Sequence, residues 1–92
     1  MKQDRALLAN PDVVSREEGG ETILLDLESG TYFGLNAVGG RVWQMLESGR
    51  KSLVELCDSV ETEFDASRGE IERDVAALAD HLLEQGLVTS EG

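Results

Sequence analysis

The sequence predicts an α+β domain, a three-stranded antiparallel sheet followed by three helices. Three observations point there. The chain has 92 residues of which 40% are hydrophobic, enough for one modest core. Apolar spacing changes once, near Asn36, from a period of two to a helical period. Turn residues crowd the first part, whereas Ser-x-x-Glu signals punctuate the second.

Each element follows from its residues. Asn10-Pro11 stops any helix at the N-terminus, because a residue before proline avoids the α region. Val13 to Glu17 reads as a first strand, ended by Gly19-Gly20. Glu21 to Leu27 reads as a second, with Ile23, Leu25 and Leu27 on one face and Leu24 and Asp26 on the other. Glu28-Ser29-Gly30 is a hairpin loop, and Thr31-Tyr32-Phe33-Gly34-Leu35 a third strand. Asn36 caps a first helix that runs to about Ser48, with Val38, Val42, Met45 and Leu46 as its stripe and Trp43 on the flank. Gly39-Gly40 costs that helix propensity and implies a close approach to another backbone. Ser52 to Glu55 is a capping box opening a second helix, which Asp65-Ala66 breaks. Ser67 to Glu70 is another, opening a third helix that ends at Gln85-Gly86. Its stripe is Ile71, Val75, Leu78 and Leu82. The last two helices, joined by a short turn, have helix-turn-helix proportions, so the whole has winged helix-turn-helix character. One domain is expected over residues 1–92, with residues 1–11 and 90–92 flexible.

Charge narrows the function. Eight Lys and Arg face 19 Asp and Glu, a formal net charge of −11. The excess lies at the ends: −4 over residues 1–35, 0 over 36–60 and −7 over 61–92. Nucleic-acid binding needs cations that displace condensed counterions, and anionic membranes repel acidic proteins, so neither is an expected partner. No apolar run reaches membrane-spanning length, and Ala6 to Ala9 is too short for a signal-peptide core, which makes the cytoplasm the expected location.

Catalytic stock is thin. One Cys and one His cannot make a disulfide or complete a zinc site. Cys57 falls on an apolar stripe, as a structural cysteine does. His81 flanks the third-helix stripe as a surface residue or a polar contact to a partner. No Gly-x-Ser-x-Gly elbow accompanies it. Glu70/Asp74 and Glu61/Asp65 sit four apart and mark solvated faces, not a metal site. No catalytic residue, metal or cofactor is expected.

The third strand is different. The last strand of a meander exposes unpaired N–H and C=O groups, and natural edges are guarded by charge, proline or brevity. Thr31 to Leu35 has no such guard. It can be covered by the N-terminal segment or a second copy, or it can accept an extended peptide as an added strand, Gly34 allowing close approach. On the strand-addition reading, proline in place of Phe33 abolishes binding and spares the fold.

The stretch Gly30-Thr31-Tyr32-Phe33-Gly34-Leu35-Asn36-Ala37-Val38-Gly39-Gly40-Arg41-Val42-Trp43-Gln44-Met45-Leu46 resembles the signature of the PqqD-like family. The likeness continues through Ser52 to Leu56, Phe64-Asp65 and Glu72 to Val75, to Leu82 through Val88. The family comprises precursor-peptide chaperones, or RiPP recognition elements, with a winged helix-turn-helix fold. By resemblance, the leader region of a precursor peptide docks on the third strand, beside the third helix. Carried over by position, the peptide contacts are Thr31, Tyr32, Phe33, Gly34 and Leu35, with Arg73, Asp74, Ala77, Leu78, His81 and Leu82 on the helix. Ala79 and Leu83 are the alternative flank. The resemblance implies a downstream processing enzyme as partner. Trp43 and Tyr32-Phe33 look more like lasso-peptide chaperones, whose partner is a leader peptidase. The PQQ-type pathway, with a radical SAM protein, is the alternative. On fold alone the competitors are a structural homodimerisation module and a helix-turn-helix regulator, though the acidic third helix argues against the latter.

Overall fold

The computed structural model of the chain, which describes residues 6–91, divides its strands between two sheets. In chain order the elements are β1 (Ala6–Ala9), β2 (Val13–Glu18), β3 (Glu21–Asp26), β4 (Thr31–Leu35), α1 (Ala37–Glu47), β5 (Lys51–Ser52), α2 (Leu53–Glu63), α3 (Arg68–Glu84) and β6 (Val88–Glu91). The three-strand meander and three helices stand where the residue pattern puts them. The meander is the antiparallel sheet β2-β3-β4, and the second sheet runs β5-β1-β6.

That second sheet corrects the expectation of flexible ends. Ala6–Ala9 pairs antiparallel with Val88–Glu91, and Leu7 and Val88 are each 2% exposed. Ser90 and Glu91, expected to be loose, are in the ladder opposite Leu7 and Ala6. The cause is non-local: one inward side chain on a short strand carries no readable alternation until its distant partner is known. Of the rest of those expected ends, Asn10 donates its backbone N–H to Leu87 O at 2.9 Å, Pro11 lies in the turn that follows, and residues 1–5 and 92 lie outside the described residues.

The β2–β3 connection is a two-residue turn in which Gly19 and Gly20 have φ of 59° and 85°. Two successive positive φ values match the right-handed twist of the flanking strands, and glycine takes them without a steric penalty. Of the two caps that define the helix-turn-helix pair, the one at Ser52 is the expected reciprocal box, and the one at Ser67 has its forward half. The Ser52 hydroxyl accepts from Glu55 N–H at 3.1 Å while Glu55 Oε1 accepts from Ser52 N–H at 2.8 Å. Ser67 accepts from Glu70 N–H at 3.3 Å.

α1 lies on the inner face of the β2-β3-β4 sheet. Gly39 and Gly40 allow this, but the close neighbour is side chain and not backbone. A Cβ on Gly40 would run into Thr22 Oγ1 and lie 3.1 Å from Thr22 Cβ; one on Gly39 would meet Leu35 Cβ at 3.2 Å. Trp43, expected on the flank of α1, is instead fully buried and is the largest side chain in the core. Its indole N–H has no hydrogen-bond partner among the described residues. Around it a single apolar cluster joins Leu7, Leu24, Leu46, Leu56, Val60, Val75, Leu82 and Leu87.

At the start of α3, Arg68 clamps the helix pair. Its guanidinium donates to Asp58 at 2.7 Å and Glu61 at 2.9 Å on α2, and to Glu72 at 2.9 Å on its own helix. These bonds hold the guanidinium's pKa well above its ordinary value.

Candidate functional site

The sheet β2-β3-β4 has two edges, and they differ in chemistry. The β2 edge carries Arg16, Glu17 and Glu18, with Arg16 paired to Glu18. Its inward side chains are tied to α1: Ser15 donates to Glu47 at 3.1 Å, and Gln44 donates to Glu17 at 2.8 Å. Charge of that kind deters strand addition. The β4 edge is uncharged, and no described strand pairs with its outer side.

The register fixes which atoms that edge presents. Leu27 N–H donates to Asp12 O at 3.0 Å, and Gly30 N–H to Asp26 O at 2.7 Å. Bonded and non-bonded pairs alternate along an antiparallel ladder. Hence Asp26, Leu24 and Thr22 aim their backbone groups at β4, where their partners are Thr31, Phe33 and Leu35. The backbone groups of Tyr32 and Gly34 point the other way, out of the open edge.

Side chains alternate between the faces. Phe33 and Leu35 stand on the inner face with buried Leu24, Phe33 half-buried against the core. Tyr32 stands on the outer face, 68% exposed. Beside the end of β4 is a groove of about 180 Å³ lined by Asn36, Val38, Gly39, Asp74 and Leu78. It separates the β4–α1 junction from α3. Asn36 shapes its wall, because its side-chain oxygen is held as the α1 cap, accepting from Gly39 N–H at 2.9 Å.

The expected helix residues therefore separate. Asp74 and Leu78 line the groove. His81 is exposed and, seven residues beyond Asp74, falls within about 20° of it around the helix. Ala77 is exposed on the same side. Leu82 is fully buried and offers nothing to a ligand. Nine residues before it, exposed Arg73 lies about 180° around the helix, away from the core. On the alternative flank Ala79 is 5% exposed and Leu83 packs against the core, so the groove lies on the Asp74 side. Asn36, Val38 and Gly39 were missed as lining residues, although all three lie in the Leu-Asn-x-x-Gly stretch that was in view.

The outer face of the sheet was also missed as a surface. Its Ile23 and Leu25, with Leu27 just beyond β3, form the more apolar side of that segment, and that side faces outward. Val14 and Leu27 are 45% and 59% exposed. A hollow of about 180 Å³ there is lined by Val14, Ser15, Arg16, Ile23, Leu25 and Tyr32.

Reactive chemistry is sparse around this edge. Cys57 is buried on α2, and burial pushes its thiol above the ordinary value, which favours the unreactive protonated form. Among the described residues no group of three or more His, Cys, Asp or Glu is placed to hold a metal ion. None of the described helices is long and apolar enough to cross a membrane.

Comparison with known proteins adds the following. Residues 21–88 match the family described as "Coenzyme PQQ synthesis protein D (PqqD)". Two solved structures are similar. One, "TbiB1 in Complex with the TbiA(beta) Leader Peptide", is 38% identical, with a TM-score of 0.79 over 88% of this chain and 93% of that one. The other, "Lasso peptide synthetase B1 complexed with the leader peptide", is 29% identical, with a TM-score of 0.77 over 90% of this chain and 96% of that one. No curated protein matches the chain.

Proposed function

The chain belongs to the PqqD family, and we propose that it is a non-catalytic RiPP recognition element, a carrier for the leader segment of a ribosomally made precursor peptide. One observation carries the proposal: the β4 edge is unguarded, aims the backbone groups of Tyr32 and Gly34 outward, and runs beside a groove that α3 walls. An extended leader adds as an antiparallel strand on Thr31–Leu35. Main-chain bonds supply affinity, and alternate side chains supply choice. On the inner side, those side chains meet Phe33 and the groove at Asp74 and Leu78, with Ala77 and His81 on its solvent side.

The site binds and orients. The bound leader is then handed to a processing enzyme, for which the leader peptidase of a lasso-peptide pathway is favoured. Support for that choice is the likeness to two B1 structures whose partner is a leader peptide. We place this work in the cytoplasm, without nucleic acid, membrane or cofactor. A homodimer through β4 would compete with the leader for the same edge.

The test is calorimetric titration with the leader of the precursor encoded beside the chain's gene, with light scattering on the same samples. A one-to-one complex with a Kd in the micromolar range or below is expected. No binding, or a dimer that leader leaves unchanged, refutes the proposal.

A further inference from the structure

Gly34 has no reason within its own fold to be glycine. Its φ is not positive, so the backbone does not require it. A Cβ built there would meet only Ile23 Cδ1, at 4.0 Å, an ordinary contact. Neither a turn nor crowding explains it, and glycine weakens a strand that a β-branched residue would strengthen. Its neighbours Gly39 and Gly40 show the contrast, since both are crowded by this chain's own side chains.

The open space above Gly34 lies on the outer face. That face is apolar where it could be polar: Ile23 and Leu25 are half-buried, and Tyr32 is largely exposed. Gly34 is cross-strand partner to Ile23, and Tyr32 to Leu25. Across the other side of β4, the outward backbone groups of Gly34 define one position of any added strand. The residue there exchanges both backbone bonds with Gly34 and turns its side chain to the outer face.

Resting on the strand-addition reading above, we infer that Gly34 is a specificity determinant: it selects a peptide whose residue paired with Gly34 is large and apolar. That side chain lies across the glycine, which has none, and reaches Ile23 with Tyr32 at its flank. Strands are spaced by about 4.8 Å, so an aromatic or leucine-sized side chain spans the missing position whereas alanine does not. The inner groove therefore reads one set of alternate residues, and Gly34 reads one member of the other set.

The test begins with a random-peptide display library selected on the intact chain. Expected is enrichment of a large apolar residue at one fixed position. In the complex, a labelled Ile23 methyl should show intermolecular NOEs to that side chain. Gly34→Val should melt no lower than the parent yet bind the selected peptide about tenfold more weakly or worse. An alanine version of the peptide should bind both chains alike. Unchanged affinity of Gly34→Val, or a bound peptide that leaves Ile23 without contacts, overturns the inference while leaving strand addition standing. A Gly34→Val chain that fails to fold also overturns it, by giving Gly34 an internal role. Failure to select any peptide overturns the strand-addition reading and this inference with it.

Discussion

Proline substitution along β4 should give opposite outcomes at adjacent residues. At Tyr32 the N–H points out of the sheet, so proline removes nothing from the fold. Thr31 before it is already extended, as a residue preceding proline must be. The bound peptide loses a donor and keeps an unpaired carbonyl, which costs about 1–3 kcal/mol and weakens binding roughly 5- to 150-fold. Tyr32→Ala separates the effect of the ring from that of the N–H. At Phe33 the N–H belongs to the β3–β4 ladder opposite Leu24, which is fully buried. Proline there strands a carbonyl inside the protein and breaks the sheet at its middle. A cost of about 3 kcal/mol lowers the melting temperature by roughly 12–24 °C in a domain of this size. The assay pairs leader titration with thermal melts followed by the fluorescence of Trp43, the sole and fully buried tryptophan. Tyr32→Pro should melt near the parent and bind poorly, and Phe33→Pro should melt early. The reverse, an intact Phe33→Pro fold and normal binding by Tyr32→Pro, would refute the register argument.

Other outcomes separate binding from stability. Leu78→Ala should weaken leader binding with a modest effect on the melt, whereas Leu82→Ala, in the core, should cost about 2–5 kcal/mol of stability by urea unfolding. Arg68→Ala leaves Asp58, Glu61 and Glu72 facing one another. It should lower the melting temperature measurably, with leader affinity unchanged by calorimetry. Cys57 supplies a pH dependence. Burial raises its folded value above the ordinary 9.0, so the unfolded chain loses the proton first and stability falls as pH climbs past that value. Urea midpoints between pH 8 and 10 should fall more steeply for the parent than for Cys57→Ala.

Local chemistry made most of this architecture readable. Gly19-Gly20, Gly30, Asn36, Ser52 with Glu55, and Ser67 each mark a boundary through bonds within a few residues. The periods on either side of Asn36 then set element types. What was hidden depends on distant partners. Ala6–Ala9 becomes a strand only against Val88–Glu91, and Lys51–Ser52 only against Leu7 and Ala6. The site was legible in the same measure. Composition marked Thr31–Leu35 as an unguarded edge, yet the choice of Phe33 for proline missed the phase of the ladder. That phase depends on pairing to β3 and on contacts such as Leu27 to Asp12. Carry-over by resemblance put Leu82 among the peptide contacts, but depth cannot be read from position along the helix alone. Leu78 and Leu82 share a stripe, yet Leu78 lines the groove and Leu82 is fully buried.

The pairing of β1 with β6 also sets how the chain responds to force. Ala6 and Glu91 are opposite each other in the ladder, so their Cα atoms stand only about 4.5–5.5 Å apart. Tension applied through both ends peels that ladder one bond at a time instead of shearing all of it at once. Pulled through Ala6 and Glu91, the ladder should therefore open from that pair through Leu7 and Ser90 to Ala9 and Val88, uncovering the core from the sheet that does not contain β4.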